Sequence, residues 1–128
     1  MTNYRSILGG NIYENICRRG AGMDSVFCQF EKWFQSKLSE WAQKGVTVEK
    51  FGLSEYGHQY WIKVKCENGL GNIVLHESNG IYWVDFEAGN YDYDVMYIES
   101  NISFVDVKEL DDYETEFINH ITWNGNED

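Results

Sequence analysis

Asp85, Glu87, Asp92 and Asp94 fall within a single ten-residue stretch. Carboxylates gathered this closely suit few kinds of chemistry. Calcium would need roughly six to eight oxygens at short range, and Asp92, Asp94 and Glu99 lack the glycine and spacing of an EF-hand loop. Glycoside hydrolysis would need one acid held protonated in an apolar pocket, which an open strand edge does not offer. A cluster of lysines and arginines on another molecule would match the charge directly, and Trp83, Tyr91 and Met96 stand beside the acids to add apolar contact. Water could also simply screen the four acids. The solvated tip, the basic partner and the calcium ion all stay open at this point.

The remaining reactive side chains do not assemble into a catalytic pattern. His58, His76 and His120 are scattered, with no H-E-x-x-H or comparable spacing. Cys66 lies on the apolar side of a strand pattern and reads as a small hydrophobe rather than a nucleophile. There is no G-x-S-x-G, P-loop or dinucleotide fingerprint, and Gly69-Leu70-Gly71 has no following helix to bind phosphate, which leaves a flexible turn. Trp33 and Trp41 fall along a helix and belong to the core, whereas Trp61 and Trp83 fall on the polar sides of strands and suit a contact surface. The expectation is a binding protein rather than an enzyme, with no cofactor and no metal.

The acids must be positioned by strands. If Gly89-Asn90 is a two-residue turn, Phe86 faces Tyr93, Val84 faces Val95 and Tyr82 faces Tyr97 on one side of a hairpin. The other side then pairs Glu87 with Asp92, Asp85 with Asp94, Trp83 with Met96 and Ile81 with Ile98. Like charges directly opposite one another destabilise a strand pair by roughly 0.2–1 kcal/mol. A fold gains nothing from two such pairs, so the acids are expected to serve something outside it.

Around this hairpin the chain patterns as helix, strands, helix. Phe27, Phe30, Phe34, Leu38 and Trp41 form one stripe between Asp24 and Lys44, with Asp24 or Ser25 as the cap and Gly45 at the stop. Strand patterns follow at Val46–Phe51, Tyr60–Cys66, Ile73–Glu77, Ile81–Glu87 and Tyr91–Ile98, and Asn79-Gly80 marks a hairpin. Val107, Leu110, Tyr113, Phe117, Ile118 and Ile121 share a face from Asp106 onward, where Asp106 and Glu109 resemble a capping box. The expected fold is α+β: an antiparallel meander sheet of four to five strands with two helices packed on one face, a two-layer sandwich. Residues 1–22 read as a flexible N-terminal extension, residues 23–122 as a single domain and residues 123–128 as a disordered acidic tail. Met23 is a candidate alternative start.

With 128 residues there is room for one core, and 43% hydrophobic content is enough to build it. No proline is present, so turns must rely on Gly, Asn and Ser. The net charge of −11 is unevenly distributed: +3 over residues 1–66 and −14 over 67–128, where Lys108 is the single basic residue. That bias disfavours direct nucleic-acid binding by the second half and suits a basic protein partner. Three widely spaced cysteines without a C-x-x-C suggest reduced thiols, and no stretch is apolar enough to span a membrane. A cytoplasmic protein, monomeric or weakly dimeric, is expected.

One resemblance sharpens these expectations. Phe30, Trp33, Phe34, Leu38, Trp41 and Ala42, then Gly45, Val48, Glu49, Lys50 and Leu53, resemble the opening of the immunity proteins of contact-dependent growth inhibition, in particular the TriTu type. Gly71, Ile73, Leu75, Glu77 and Ser78, then Asp85 and Glu87, resemble that family's strand motif, which has tryptophan at the position His76 holds here. The likeness covers roughly residues 27–121. It implies an inhibitor that binds and neutralises a cognate toxin domain delivered by a neighbouring cell, a nuclease acting on tRNA that can depend on elongation factor Tu. An RNA-cleaving domain needs a basic surface, and Asp85, Glu87, Asp92 and Asp94 with Trp83, Tyr91 and Met96 would be the toxin-binding residues. The alternative is an adaptor of another cytosolic assembly.

Overall fold

The structure, a computed structural model, describes residues 25–91 and 96–122. Two short helices open it, α1 (Val26–Gln35) and α2 (Leu38–Gln43). Five strands follow, β1 (Thr47–Leu53), β2 (Gln59–Lys65), β3 (Gly69–Ser78), β4 (Ile81–Asn90) and β5 (Met96–Ile102). A 3-10 turn (Val107–Leu110) then leads into α3 (Asp111–Ile121). The sheet runs in chain order, every neighbour antiparallel. This is the expected meander, and the helices lie on one side of it. The extension, the acidic tail, Asp24 as a cap and the start at Met23 fall outside the described residues.

Local chemistry accounts for the boundaries. Ser25 caps α1, its hydroxyl accepting the Cys28 N–H at 3.0 Å. The single helix expected over residues 24–44 is instead broken after Gln35. There the Ser36 hydroxyl donates back to the Trp33 carbonyl at 2.6 Å, a bond that competes with the helical ladder. Asp106 and Glu109 form the capping box their spacing suggests. Asn79 and Gly80 both have positive φ (52° and 82°), as a two-residue hairpin between strands requires.

The core lies between the sheet and the helices. Tyr60, Ile62, Val64, Ile73, Leu75, Val84 and Phe86 are fully buried from the strands, against Phe30, Phe34, Leu110, Phe117 and Ile121. Phe34 packs on Phe51 at 5.1 Å and Phe86 on Phe117 at 5.8 Å between ring centres. Gly69 and Gly71 belong to β3 and are not the flexible turn expected of them. The Phe117 ring occupies the space a Gly71 side chain would take.

A polar stitch joins the first two helices to the last. Trp33 Nε1 and Lys37 Nζ each donate to Asp111 Oδ1 at 2.8 Å, and Trp41 Nε1 donates to Glu114 Oε2 at 2.6 Å. The Lys37 and Trp33 bonds hold the Asp111 carboxyl below its ordinary range, whereas burial raises that of Glu114 despite the indole. Glu31 is also fully buried, accepts from the Tyr60 hydroxyl at 2.7 Å, and is pushed up to about 8 by its burial. Cys66 is free and donates to the Ile121 carbonyl at 2.8 Å. Cys28 is disulfide-bonded, so the expectation of three reduced thiols is not met. Among the described residues no helix is long and apolar enough to cross a membrane.

Candidate functional site: the open face of the sheet

Alternation divides each strand between two environments. Residues such as Val48, Ile62, Ile73 and Phe86 point at the helices, and the residues between them point the other way, where no described element covers them. Register turns these residues into rows. Gln59, His76 and Trp83 share one row, with Trp61, Val74 and Asp85 in the next. Lys63, Asn72, Glu87 and Ile98 make a third, and Lys65, Leu70, Gly89 and Met96 a fourth. Several apolar side chains on this face remain in solvent: Ile81 is 65% exposed, Ile98 58%, Met96 44% and Leu70 41%.

The predicted pairing of β4 with β5 is corrected by the structure. β4 does not turn at Gly89-Asn90. It runs on to Asn90, because Leu70 and Gly69 continue the ladder from β3 and pair with Gly89 and Asn90. Gly89 therefore faces Met96, Ala88 faces Tyr97, Glu87 faces Ile98 and Phe86 faces Glu99. None of the expected pairs Trp83–Met96, Ile81–Ile98 or Tyr82–Tyr97 forms, and Asp92 and Asp94 lie outside the described residues. The displacement is an even number of residues, so Met96 and Ile98 stay on the face foreseen for them. The opposed acid pairs are not what gathers charge here, because Glu87 has an isoleucine opposite.

Asp85 is instead held by its own fold. His76 Nε2 lies 2.9 Å from Asp85 Oδ2, and the Asn101 N–H donates to Asp85 Oδ1 at 2.8 Å. The second contact arises where the β4–β5 register shifts between Val84 and Phe86 and Asn101 takes φ 59°. With Nε2–H donated to the carboxylate, His76 Nδ1 is an acceptor, and Gln59 Nε2 reaches it at 3.2 Å. The imidazole also stacks on Trp83, 5.2 Å between centres with 12° between planes. On the first two strands Lys50 Nζ sits 5.0 Å from the centre of the Trp61 ring. At the hairpin end His58 Nδ1 contacts Glu77 Oε1 at 2.9 Å, and the Gly80 N–H donates to Glu77 Oε2. The Gly80 amide, then His58, lower the Glu77 carboxyl.

An open cavity of about 420 Å³ lies in the middle of the face, floored by Asn72, Val74 and His76 of β3, with Gln59 and Trp61 of β2 to one side and Asp85 and Glu87 of β4 to the other. Of the residues assigned to binding from sequence, Trp83, Asp85 and Glu87 line up along β4, and Met96 joins them across the ladder. Tyr91 stands at the end of this face near Met96 and Leu70, its hydroxyl donating to the Cys66 carbonyl at 3.3 Å. Trp61 is on the face as well, while Trp33 and Trp41 are buried. Gln59, Asn72, Val74 and His76 were not foreseen. The Asn79-Gly80 turn held the signal, since counting back from it places His76 opposite Trp83 and beside Asp85. Among the described residues no group of three His, Cys, Asp and Glu side chains is placed to hold a metal ion.

Fold and face together describe a class: a small α+β domain with helices on one side of a meander and, on the other, a mixed polar and aromatic surface that no described element covers. No protein-family model, no curated protein and no solved structure matches the chain.

Proposed function

We propose that this is a non-catalytic binding protein that docks a macromolecule on the open face of its sheet. The observation that carries the reading is the exposure of Ile81, Leu70, Met96 and Ile98 on the face that also presents Asp85 and Glu87. Exposed apolar side chains set among polar groups mark interaction sites; Leu70, Met96 and Ile98 gather at one end of the face with Ile81 at the other end of β4, and two tryptophans add the residue type favoured as an interface anchor.

The resemblance narrows the partner to a basic, tRNA-cleaving toxin domain and the role to immunity. Acidic β4 suits a surface built for RNA. The reading places the protein in the bacterial cytoplasm, where the Cys28 disulfide is open to reduction. The immunity reading expects a large secreted effector encoded directly upstream of this gene, and the test is co-expression with the toxic C-terminal domain of that effector, scored by survival and co-purification. Val74→Arg puts a bulky charge in the middle of the face, and its thermal unfolding is checked in parallel. Loss of both protection and co-purification with folding retained is expected. Undiminished protection by a folded Val74→Arg variant overturns docking on this face, and wild-type protein that captures another cytosolic assembly but gives no protection points to an adaptor.

A further inference from the structure

We infer that the central cavity is a socket for an arginine side chain presented by the docking partner. The inference rests on the docking reading and adds the chemistry of the group recognised. Trp61 stands on β2, Val74 on β3 and Asp85 on β4, in one row. Adjacent strands lie about 4.8 Å apart, so the indole and the carboxylates flank a gap of roughly 9–10 Å between backbones, with a small aliphatic side chain beneath it. A planar guanidinium can stack on an indole and fork its N–H groups to carboxylates at once, and an ammonium cannot.

Three details favour a cation there. Glu87 forms no hydrogen bond or ion pair with any described residue, so its carboxylate is available. Asp85 is fixed in place by His76 and Asn101, one contact to each oxygen, which orients it while leaving acceptor capacity on both. Lys50, which already sits over the Trp61 ring, belongs to β1, on the side of Trp61 away from the cavity. Lys50 on β1 and Lys63 on β2 stand on the Trp61 side of the gap and the carboxylates on β4 stand opposite, so the field across it pulls a positive group toward Asp85 and Glu87. The Asn72 and Gln59 amides at the rim supply further carbonyl acceptors.

The experiment titrates the full-length, 15N-labelled chain with N-acetyl-arginine amide and, in parallel, with N-acetyl-lysine amide, following the Trp61 indole N–H and the Asn72 and Gln59 side-chain amides. Saturable shifts with arginine, several-fold weaker with lysine, are expected. Glu87→Gln preserves shape and breaks no internal contact, and it should weaken the arginine probe by roughly two- to five-fold, the scale of a partly exposed charge pair. Equal responses to the two probes, or an arginine response that Glu87→Gln leaves unchanged, overturn the socket. If the arginine probe fails while Val74→Arg still abolishes protection, docking stands and the socket falls. If arginine binds but protection survives Val74→Arg, the cavity recognises arginine and the docking reading falls.

Discussion

An ideal Cβ on Gly71 would lie 2.6 Å from Phe117 Cε1 and 2.9 Å from the Glu87 carbonyl oxygen. The aromatic ring of α3 therefore rests directly on bare backbone, and even a methyl group must push it away. Gly71→Ala should cost about 1–3 kcal/mol, the usual range for overpacking a filled core, read as a lower urea midpoint at unchanged slope. A second single-residue prediction concerns pH. The Glu31 carboxyl is pushed up to about 8 in the fold by burial, from 4.5 in the open chain. Between those values the folded protein holds a proton that the unfolded chain has released, so stability falls as pH rises through the window. Glu31→Gln removes this titration. Its melting temperature should drop less than wild type between about pH 5 and about pH 8.5. An equal drop in both proteins would assign the pH dependence to other groups.

Elements are joined by the indole and lysine bonds that tie α1 and α2 to α3. Trp41→Phe keeps most of the buried ring but deprives Glu114 of its 2.6 Å donor. Stranding a buried acceptor costs about 1–3 kcal/mol, and equilibrium denaturation should show it. Much at this scale was readable in the sequence, because local signals decide it: the Phe27-to-Trp41 stripe, the Asp106 and Glu109 box, and Asn79-Gly80 each depend on residues a few positions apart. What was not readable depended on competition. Gly89-Asn90 has the composition of a turn, yet pairing with Gly69 and Leu70 keeps it in the sheet. Ser36 ends α1 through one hydroxyl bond that periodicity does not register. Of the candidate site, the polar face of β4 and the placement of Trp61 followed from alternation alone. His76, Asn72 and Val74 joined it only through the register of β3, and the Asp85–Asn101 contact needed a strand irregularity that no residue pattern announces.

At the scale of the molecule, the strand order converts a bias in sequence into a bias in space. Because the sheet runs in chain order, the lysine-bearing first half becomes β1 and β2, and the acidic second half becomes β4, β5 and the helix behind them. Lys63 and Lys65 therefore stand two strands away from Asp85 and Glu87, and Lys50 three, on the same face. A partner of matching polarity is oriented before contact, and its encounter depends on long-range charge. If the proposed immunity role holds, the association rate with a basic toxin domain, followed by stopped-flow fluorescence of Trp61 and Trp83, should fall steeply between low and high salt while dissociation changes little. A rate indifferent to salt would leave recognition to the apolar groups alone.

The same strand order has a kinetic consequence. Each strand finds its partner one turn or loop away, so little chain entropy is lost before the first ladders close. Topologies dominated by such near-neighbour pairings fold faster than those that must join distant segments. The exceptions include the bonds of Trp33 and Lys37 to Asp111 and of Trp41 to Glu114, 78, 74 and 73 positions apart. The open face of the sheet can thus zip together while the helical layer is still closing behind it.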